Sequence, residues 1–359
     1  MRRIAIKDAK PDMMLVTPAY NDYGQMVLDE GAVLKLQNVQ ALLKSGVSRL
    51  IIEDPRVSEV ILSDLVPKHV EARAIKAVRQ MTDDVRSGQL GGGIAGVMGT
   101  VHDIAQYMED SIMGEPDVMG CSSISAYPYV HPVQSAIISM VIAKAAAYEP
   151  QDILNIGESA MLQDIGYALI PQEILEKNTA LTEEELQKVR RHPEYAAEVL
   201  KRYPKLERHT IDAVYQHHER WDGTGYPNGT KGWDIPPHAQ MVAIADVYCD
   251  LISTRPAREA YTIAAAVEFI MGASGELFDP DLVEVFARRI PMYPTGVMVK
   301  LASGEIGIVV DPNIGSVGRP KIRICYVPHP RQAGLMAVKP FDVDLVSPDN
   351  TYMMVQQIV

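Results

Sequence analysis

Two aspartates sit where apolar helices should be sealed. Asp246 lies in the middle of Met241-Val242-Ala243-Ile244-Ala245-Asp246-Val247-Tyr248, a run apolar nearly all round and therefore expected to be buried. Asp164 is embedded in the same way in Ala160-Met161-Leu162-Gln163-Asp164-Ile165-Gly166. A buried carboxylate is costly unless it is paired, hydrogen-bonded or bound to metal. Histidines gather in the same region, at His192, His209, His217, His218 and His238, and His217-His218-Glu219 follows the apolar Ile211, Ala213, Val214 and Tyr215. Any one of these residues alone is more often a satisfied core residue than a ligand. Together, two embedded aspartates and several histidines in one helical region fit a carboxylate-bridged dinuclear metal site. Such a site grips the attacking and leaving oxygens of a phosphoester and makes hydroxide near neutral pH. Spacing alone reaches no further than a metallohydrolase.

The elements that must hold these residues fall into zones. Residues 1–57 carry short apolar runs around the turn signals Asn21-Asp22-Tyr23-Gly24, Glu30-Gly31 and Ser45-Gly46, with a helix expected at Val39 to Leu43 and a strand at Ser48 to Ile52. This zone reads as a small α+β domain. Residues 58–123 form a helical linker region, patterned as helix from Ser58 to Met113 and broken at Ser87 to Gly93. That loop, Gly88-Gln89-Leu90-Gly91-Gly92-Gly93, lacks the Lys-Ser/Thr of a phosphate-binding P-loop and reads as a hinge. Residues 124–290 are almost all helix, with Thr182-Glu183-Glu184-Glu185 as a capping box. Residues 291–359 change to strands, expected at Val297 to Leu301, Ile306 to Val310 and Lys321 to Val327, and close the chain as a small β-rich domain. The fold class is mainly α: a helical bundle flanked by a small N-terminal α+β domain and a small C-terminal β domain.

Composition narrows the function classes. A formal net charge of -12 over 359 residues argues against DNA or any nucleic-acid backbone as partner, because a basic surface is missing. An anionic substrate remains compatible if a buried metal supplies positive charge locally. Cys121, Cys249 and Cys325 show no CxxC spacing and suit a reducing cytoplasm. The start, Met1-Arg2-Arg3-Ile4-Ala5-Ile6-Lys7-Asp8, lacks a signal-peptide apolar stretch, and Val133 to Ala147 is too short and too interrupted by Gln134, Ser135 and Lys144 to insert in a membrane. A cytoplasmic protein is expected.

The segment His217-His218-Glu219-Arg220-Trp221-Asp222-Gly223-Thr224-Gly225-Tyr226-Pro227 resembles the HHExxDGxGYP signature of HD-GYP proteins at every signature position. The register continues upstream through Asp164-Ile165-Gly166, Ile170-Pro171, Leu181-Thr182-Glu183-Glu184 and His192-Pro193. Downstream it continues through Ile235-Pro236, Ala245-Asp246-Val247-Tyr248, Arg255-Pro256 and Phe278-Asp279-Pro280. The resemblance spans roughly residues 124–290 and implies an HD-type all-helical bundle that hydrolyses cyclic di-GMP to pGpG and onward to GMP with iron or manganese. It places metal ligands on His131, Asp164, His192, His217, His218 and Asp246. Asp164 bridges, Asp246 and His131 face one ion, and His192, His217 and His218 face the other. Gly223, Gly225 and Pro227 would shape a loop beside the ligand, the glycines through positive φ or close backbone approach, and Tyr226 would pack structurally or beside the substrate rather than do chemistry. Arg255 and Arg258 either contact phosphate or pair with acids.

The departures cluster around the reaction. Gln163 stands where the resemblance expects the histidine of the HD pair, and a neutral amide is a weaker donor to iron or manganese than imidazole. Tyr167 replaces a lysine, and a phenol cannot stabilise developing phosphate charge as an ammonium does. Pro132 follows His131, fits the first turn of a helix running through Ala147, and biases His131 away from helical dihedrals. Cys249 replaces an aspartate that the family often carries. One well-held ion and a weakened second are expected. Three functions follow: a slow or altered cyclic-dinucleotide phosphodiesterase, an inactive cyclic-dinucleotide sensor, or a docking module for signalling proteins such as GGDEF-type cyclases. The helical zone from Ser58 to Met113 either joins two copies as a homodimer or packs on its own core.

Overall fold

A computed structural model describes the chain except at residues 22, 48, 61, 63, 90–91, 111–114, 117–120, 122, 178 and 256–257. The expectations that touch Asp22, Ser48, Leu90, Gly91, Met113 and Pro256 therefore lie outside the described residues. The chain divides into two compact units, Met1–Asp64 with Ala287–Val359, and Leu65–Phe286.

In the first unit, β1 (Arg2–Ala5) pairs antiparallel with β4 (Arg49–Ile52), and β2 (Ala19–Tyr20) with β3 (Met26–Leu28). Helix α1 (Leu36–Lys44) presents Val39 and Leu42 to a core of Leu15, Leu34, Leu50 and Ile52. The C-terminal strands β5 (Met298–Leu301), β6 (Ile306–Asp311), β7 (Lys321–Pro328), β8 (Leu335–Asp344) and β9 (Val355–Ile358) form an antiparallel sheet ordered β8-β7-β6-β5-β9. Within this unit the two chain segments join directly: Arg3 donates its backbone N–H to the Gly296 carbonyl at 3.0 Å, and Arg56 donates to the Tyr326 hydroxyl at 3.0 Å. Strands β5 to β7 lie where the apolar patterning puts them. The edge strands β8 and β9 are additional, and their largely exposed side chains leave no apolar alternation to read.

The second unit is helical: α2 (Lys68–Arg86), α3 (Gly92–Asp110), α4 (Tyr127–Ala145), α5 (Pro150–Leu162), α6 (Gln172–Leu175), α7 (Glu183–Arg190), α8 (His192–Leu200), α9 (Arg208–Gln216), α10 (Pro237–Leu251) and α11 (Ile263–Gly272), followed by α12 (Pro280–Arg289), in which the unit ends at Phe286. The helical patterning from Ser58 becomes helix only at Lys68. Pro67 caps α2, and a residue preceding proline is steered away from helical dihedrals, so the chain enters the helix after it. The centre of the bundle is α4, buried without interruption from Val130 to Ala143, and it packs against α5 and α10. This helix begins a turn earlier than expected. Pro128 takes the first-turn position, while Pro132 sits inside the helix and His131 is a helical residue rather than a cap. Tertiary packing of a helix sealed on every side outweighs the loss of one backbone hydrogen bond at Pro132.

Candidate metal centre

The site is assembled at the ends of short helices. His192 opens α8, and its Nδ1 lies 2.9 Å from the Val189 carbonyl in the last turn of α7. His217 caps α9 and sets Nδ1 2.7 Å from the Val214 carbonyl one turn back. Both Nδ1 atoms must donate to these carbonyls, so both Nε2 atoms carry lone pairs. Those lone pairs face each other at 3.3 Å, and the Nε2 of His218 stands 3.2 Å from that of His192. Two acceptors at such a distance make no hydrogen bond. The three histidines offer nitrogens all within 4.8 Å of one another. Ligand nitrogens about 2.1 Å from one ion, at angles between square and tetrahedral, stand about 3.0 to 3.4 Å apart. The residues present fit a metal ion.

Asp164 lies between this trio and a second group. Its Oδ1 is 3.6 Å from His192 Nε2 and its Oδ2 is 3.9 Å from His131 Nε2. Its position follows from the short 3-10 turn Ile165–Leu169, where Gly166 presses against α8. A Cβ at Gly166 would strike the His192 carbonyl, so only glycine lets the Asp164 turn approach the histidine so closely.

The second group is closed by hydrogen bonds. His131 Nε2 and Asp246 Oδ1 are 2.8 Å apart, and Gln163 donates its side-chain N–H to the same oxygen at 3.0 Å. Gln163 is fully buried, and its Oε1, like the Nδ1 of His131, has no hydrogen-bond partner among the described residues. Gln163 thus turns a donor toward the carboxylate where an imidazole would turn a lone pair.

The electrostatics separate the two groups. Burial draws His192 down to about 3, with the neighbouring His217 adding to it, and burial followed by His217 draws His218 well below its ordinary value. Both are neutral donors at neutral pH. At Asp246, burial opposes ionisation, but the hydrogen bond and charge of His131 hold the carboxyl below its usual range. At His131, burial opposes protonation most strongly, but the Asp246 hydrogen bond and the charges of Asp246, Asp164 and Asp250 together outweigh it, so the imidazole is raised. Asp164 is raised by burial, against the pull of His131.

Three tyrosines back the imidazoles. Tyr167 stacks on His192 with ring centres 4.1 Å apart, Tyr226 on His218 at 4.7 Å, and Tyr127 on His131 at 4.7 Å. Tyr127 escaped the sequence reading; its spacing of four residues from His131 on one helix was the available signal. Its hydroxyl donates to Asp250 at 3.0 Å and the Arg255 guanidinium lies over its ring at 3.8 Å. Arg255 and Arg258 both pair with Asp250, at 3.4 and 2.9 Å. In the loop after the histidines, Gly223 has φ +84, and a Cβ at Gly225 would collide with the backbone of His218 to Arg220. Tyr226 returns its backbone N–H to the His218 carbonyl at 3.1 Å, and Pro227 follows it. Buried Glu219, quoted in the motif without a role, ties the loop by accepting from the backbone of Asn228 and Thr230 at 2.8 and 3.0 Å. His209 and His238, from the same stretch of sequence, line a separate cavity. Cys249 is fully buried, and burial pushes its thiol far above the usual value, leaving it inert. Among the described residues, no helix is long and apolar enough to cross a membrane.

Comparison with known proteins agrees with this geometry. Residues 125–282 match the family described as HD domain. Over 274 residues the chain is 32% identical to cyclic di-GMP phosphodiesterase PA4108 of Pseudomonas aeruginosa, covering 73% of this chain and 64% of that protein. Over 153 residues it is 36% identical to the cyclic di-GMP phosphodiesterase response regulator RpfG of Xanthomonas campestris pv. campestris, covering 42% of this chain and 40% of that protein. The chain thus spans less than two thirds of the length of these curated relatives. A solved structure, Bd1817, a HDG"Y"P protein from Bdellovibrio bacteriovorus, shares the fold with a TM-score of 0.51 at 16% identity, covering 79% of this chain and 97% of that one. Residues 125–282 therefore form an HD domain, similar to those of HD-GYP proteins, with Gln163 in place of the histidine of the HD pair.

Proposed function

We propose that the chain hydrolyses cyclic di-GMP to pGpG and GMP, using one iron or manganese ion held by Asp164, His192, His217 and His218. The observation that carries this reading is the convergence of three imidazole Nε2 atoms, with the lone pairs of His192 and His217 facing each other at 3.3 Å, His218 Nε2 3.2 Å from that of His192, and Asp164 3.6 Å from His192. A divalent ion there supplies Lewis acidity to a phosphoester and lowers the pKa of nearby water. The chain's own residues do the rest. The Val189 and Val214 carbonyls orient His192 and His217, Tyr167 and Tyr226 hold the faces of His192 and His218, and Asp246 keeps a charge that His131 balances. In this reading Gly223, Gly225, Tyr226 and Pro227 border the nucleotide, and Arg255 and Arg258 lend positive charge to a phosphate while anchored on Asp250. The second ion of the family is weak or missing, because His131 and Gln163 both engage Asp246 Oδ1, the oxygen a second ion would need.

The same closed network, together with Tyr167 where a lysine is expected, favours a second reading as a cytoplasmic sensor that binds the nucleotide without turnover and signals to partners such as GGDEF-type proteins. The test is chromatographic: protein purified without oxygen and supplied with ferrous iron or manganese is incubated with cyclic di-GMP, and pGpG and GMP are followed. Turnover abolished by His217→Ala with His218→Ala supports the enzyme. Binding without turnover selects the sensor, and neither binding nor turnover removes both readings.

A further inference from the structure

The helices that deliver the metal-centre residues begin around a second cluster. Helix α5 carries Asp152 in its first turn and runs to Gln163 and Asp164; α9 carries His209 and Asp212 and runs to His217 and His218; α10 carries His238 in its first turn and Asp246 further on. Asp152, His209, Asp212 and His238, with Tyr148 and two prolines, line a cavity of about 260 Å³. His238 Nε2 stands 3.6 Å from Asp152 Oδ1, and the rings of His209 and His238 are 6.0 Å apart. The Nδ1 of His238 is buried and has no hydrogen-bond partner among the described residues. Among the described residues, no lysine or arginine lines the cavity. Three helix N-termini meet here, and their partial positive charges alone would attract an anion. Two carboxylates outweigh them and reverse the preference.

We propose that this cavity is a cation site separate from the metal centre, taking a divalent metal of the zinc class through His238, His209 and Asp152, with Asp212 at its edge. Mixed imidazole and carboxylate donors are the set that zinc takes. Burial lowers His238 from its ordinary value, which leaves it a neutral donor. The cluster is not drawn together as His192, His217 and His218 are. Among the described residues, only His192, His217 and His218 bring three such donors within 4.8 Å of one another, so the exposed His209 must swing its ring inward to share an ion at nitrogen–metal distances of about 2.1 Å. Eight residues of helix, about 12 Å, separate His209 from His217 and His238 from Asp246, so the two sites share no ligand. An ion here ties together the starts of the three helices whose other ends carry the metal centre.

Zinc uptake by the full chain decides the matter, measured by equilibrium dialysis and elemental analysis with folding checked by circular dichroism. His209→Ala with His238→Ala is expected to take up one zinc fewer per chain than the unaltered protein. His217→Ala with His218→Ala is expected to keep the ion that the first variant loses. Equal uptake by the unaltered protein and His209→Ala with His238→Ala overturns the proposal. Should that double variant fail to fold, His209→Gln at the exposed ring is expected to weaken one zinc about tenfold or more; unchanged affinity overturns the proposal equally.

Discussion

Restoring one imidazole should restore one ion. In Gln163→His the side-chain N–H that now donates to Asp246 at 3.0 Å is lost, and a nitrogen lone pair can be turned toward Asp246, Asp164 and His131. The metal-free fold should change little. A hydrogen bond to a charged acceptor contributes about 1.5 to 3 kcal/mol, but the substitution also removes the orphaned Gln163 carbonyl, a buried unsatisfied group of about 1 to 3 kcal/mol. The gain appears only with metal. Outer-shell partners of a ligand alone shift metal affinity about 10- to 100-fold, so a direct ligand should shift it at least as much. At a manganese concentration about 100-fold above the new dissociation constant, binding stabilises the fold by about 2.7 kcal/mol. For a unit of this size each kcal/mol raises the melting temperature by about 2 to 4 °C, giving a manganese-dependent rise about 5 to 11 °C larger than in the unaltered protein. The assay is thermal unfolding with and without manganese, paired with ion counting. A variant that gains no ion and no additional melting rise refutes the claim that Gln163 is what weakens the second position.

Three further outcomes follow from the same geometry. Glu158 is raised to about 7 by burial and then by Glu207, so the folded chain holds a proton that the unfolded chain releases from about 4.5 upward. Stability is therefore lost as pH rises from about 4.5 to 7, and Glu158→Gln should melt higher than the unaltered protein at pH 8 but not at pH 4; an equal difference at both pH values would exclude this origin. Gly166→Ala places a Cβ against the His192 carbonyl, so it should lower the melting temperature and release the retained ion, and normal metal content in that variant would show that the approach is not required. Tyr167→Lys combined with Gln163→His should raise cyclic di-GMP turnover by one to several powers of ten, since a charge-stabilising group in an active site is often worth about 3 to 4 kcal/mol; no gain would mean that the pocket differs elsewhere.

The parts of this site carried by local rules were legible in the chain itself. The capping box at Thr182 forms as expected, with Glu185 donating its backbone N–H to Thr182 at 3.3 Å and receiving the Thr182 N–H at 2.7 Å. Asp246 in its apolar run is on a buried helix, because a helix apolar nearly all round has no face to turn to water. What sequence could not supply were the contacts made across the bundle. That Val189 and Val214 fix the tautomers of His192 and His217 depends on where two helices end, to within a residue. That Pro132 lies inside α4 depends on packing that overrides the local preference of proline. The partners of Arg255 and Arg258 were open in the sequence, and Asp250 answers the question only once α10 and the segment after it are folded.

The most direct test of the account is a count of manganese per chain, after dialysis against a fixed free concentration, in the unaltered protein and in His217→Ala with His218→Ala. A difference of one ion is predicted, with none left at the His131, Gln163 and Asp246 position. Two tightly held ions lost together, or an unaltered protein that binds none, would contradict it.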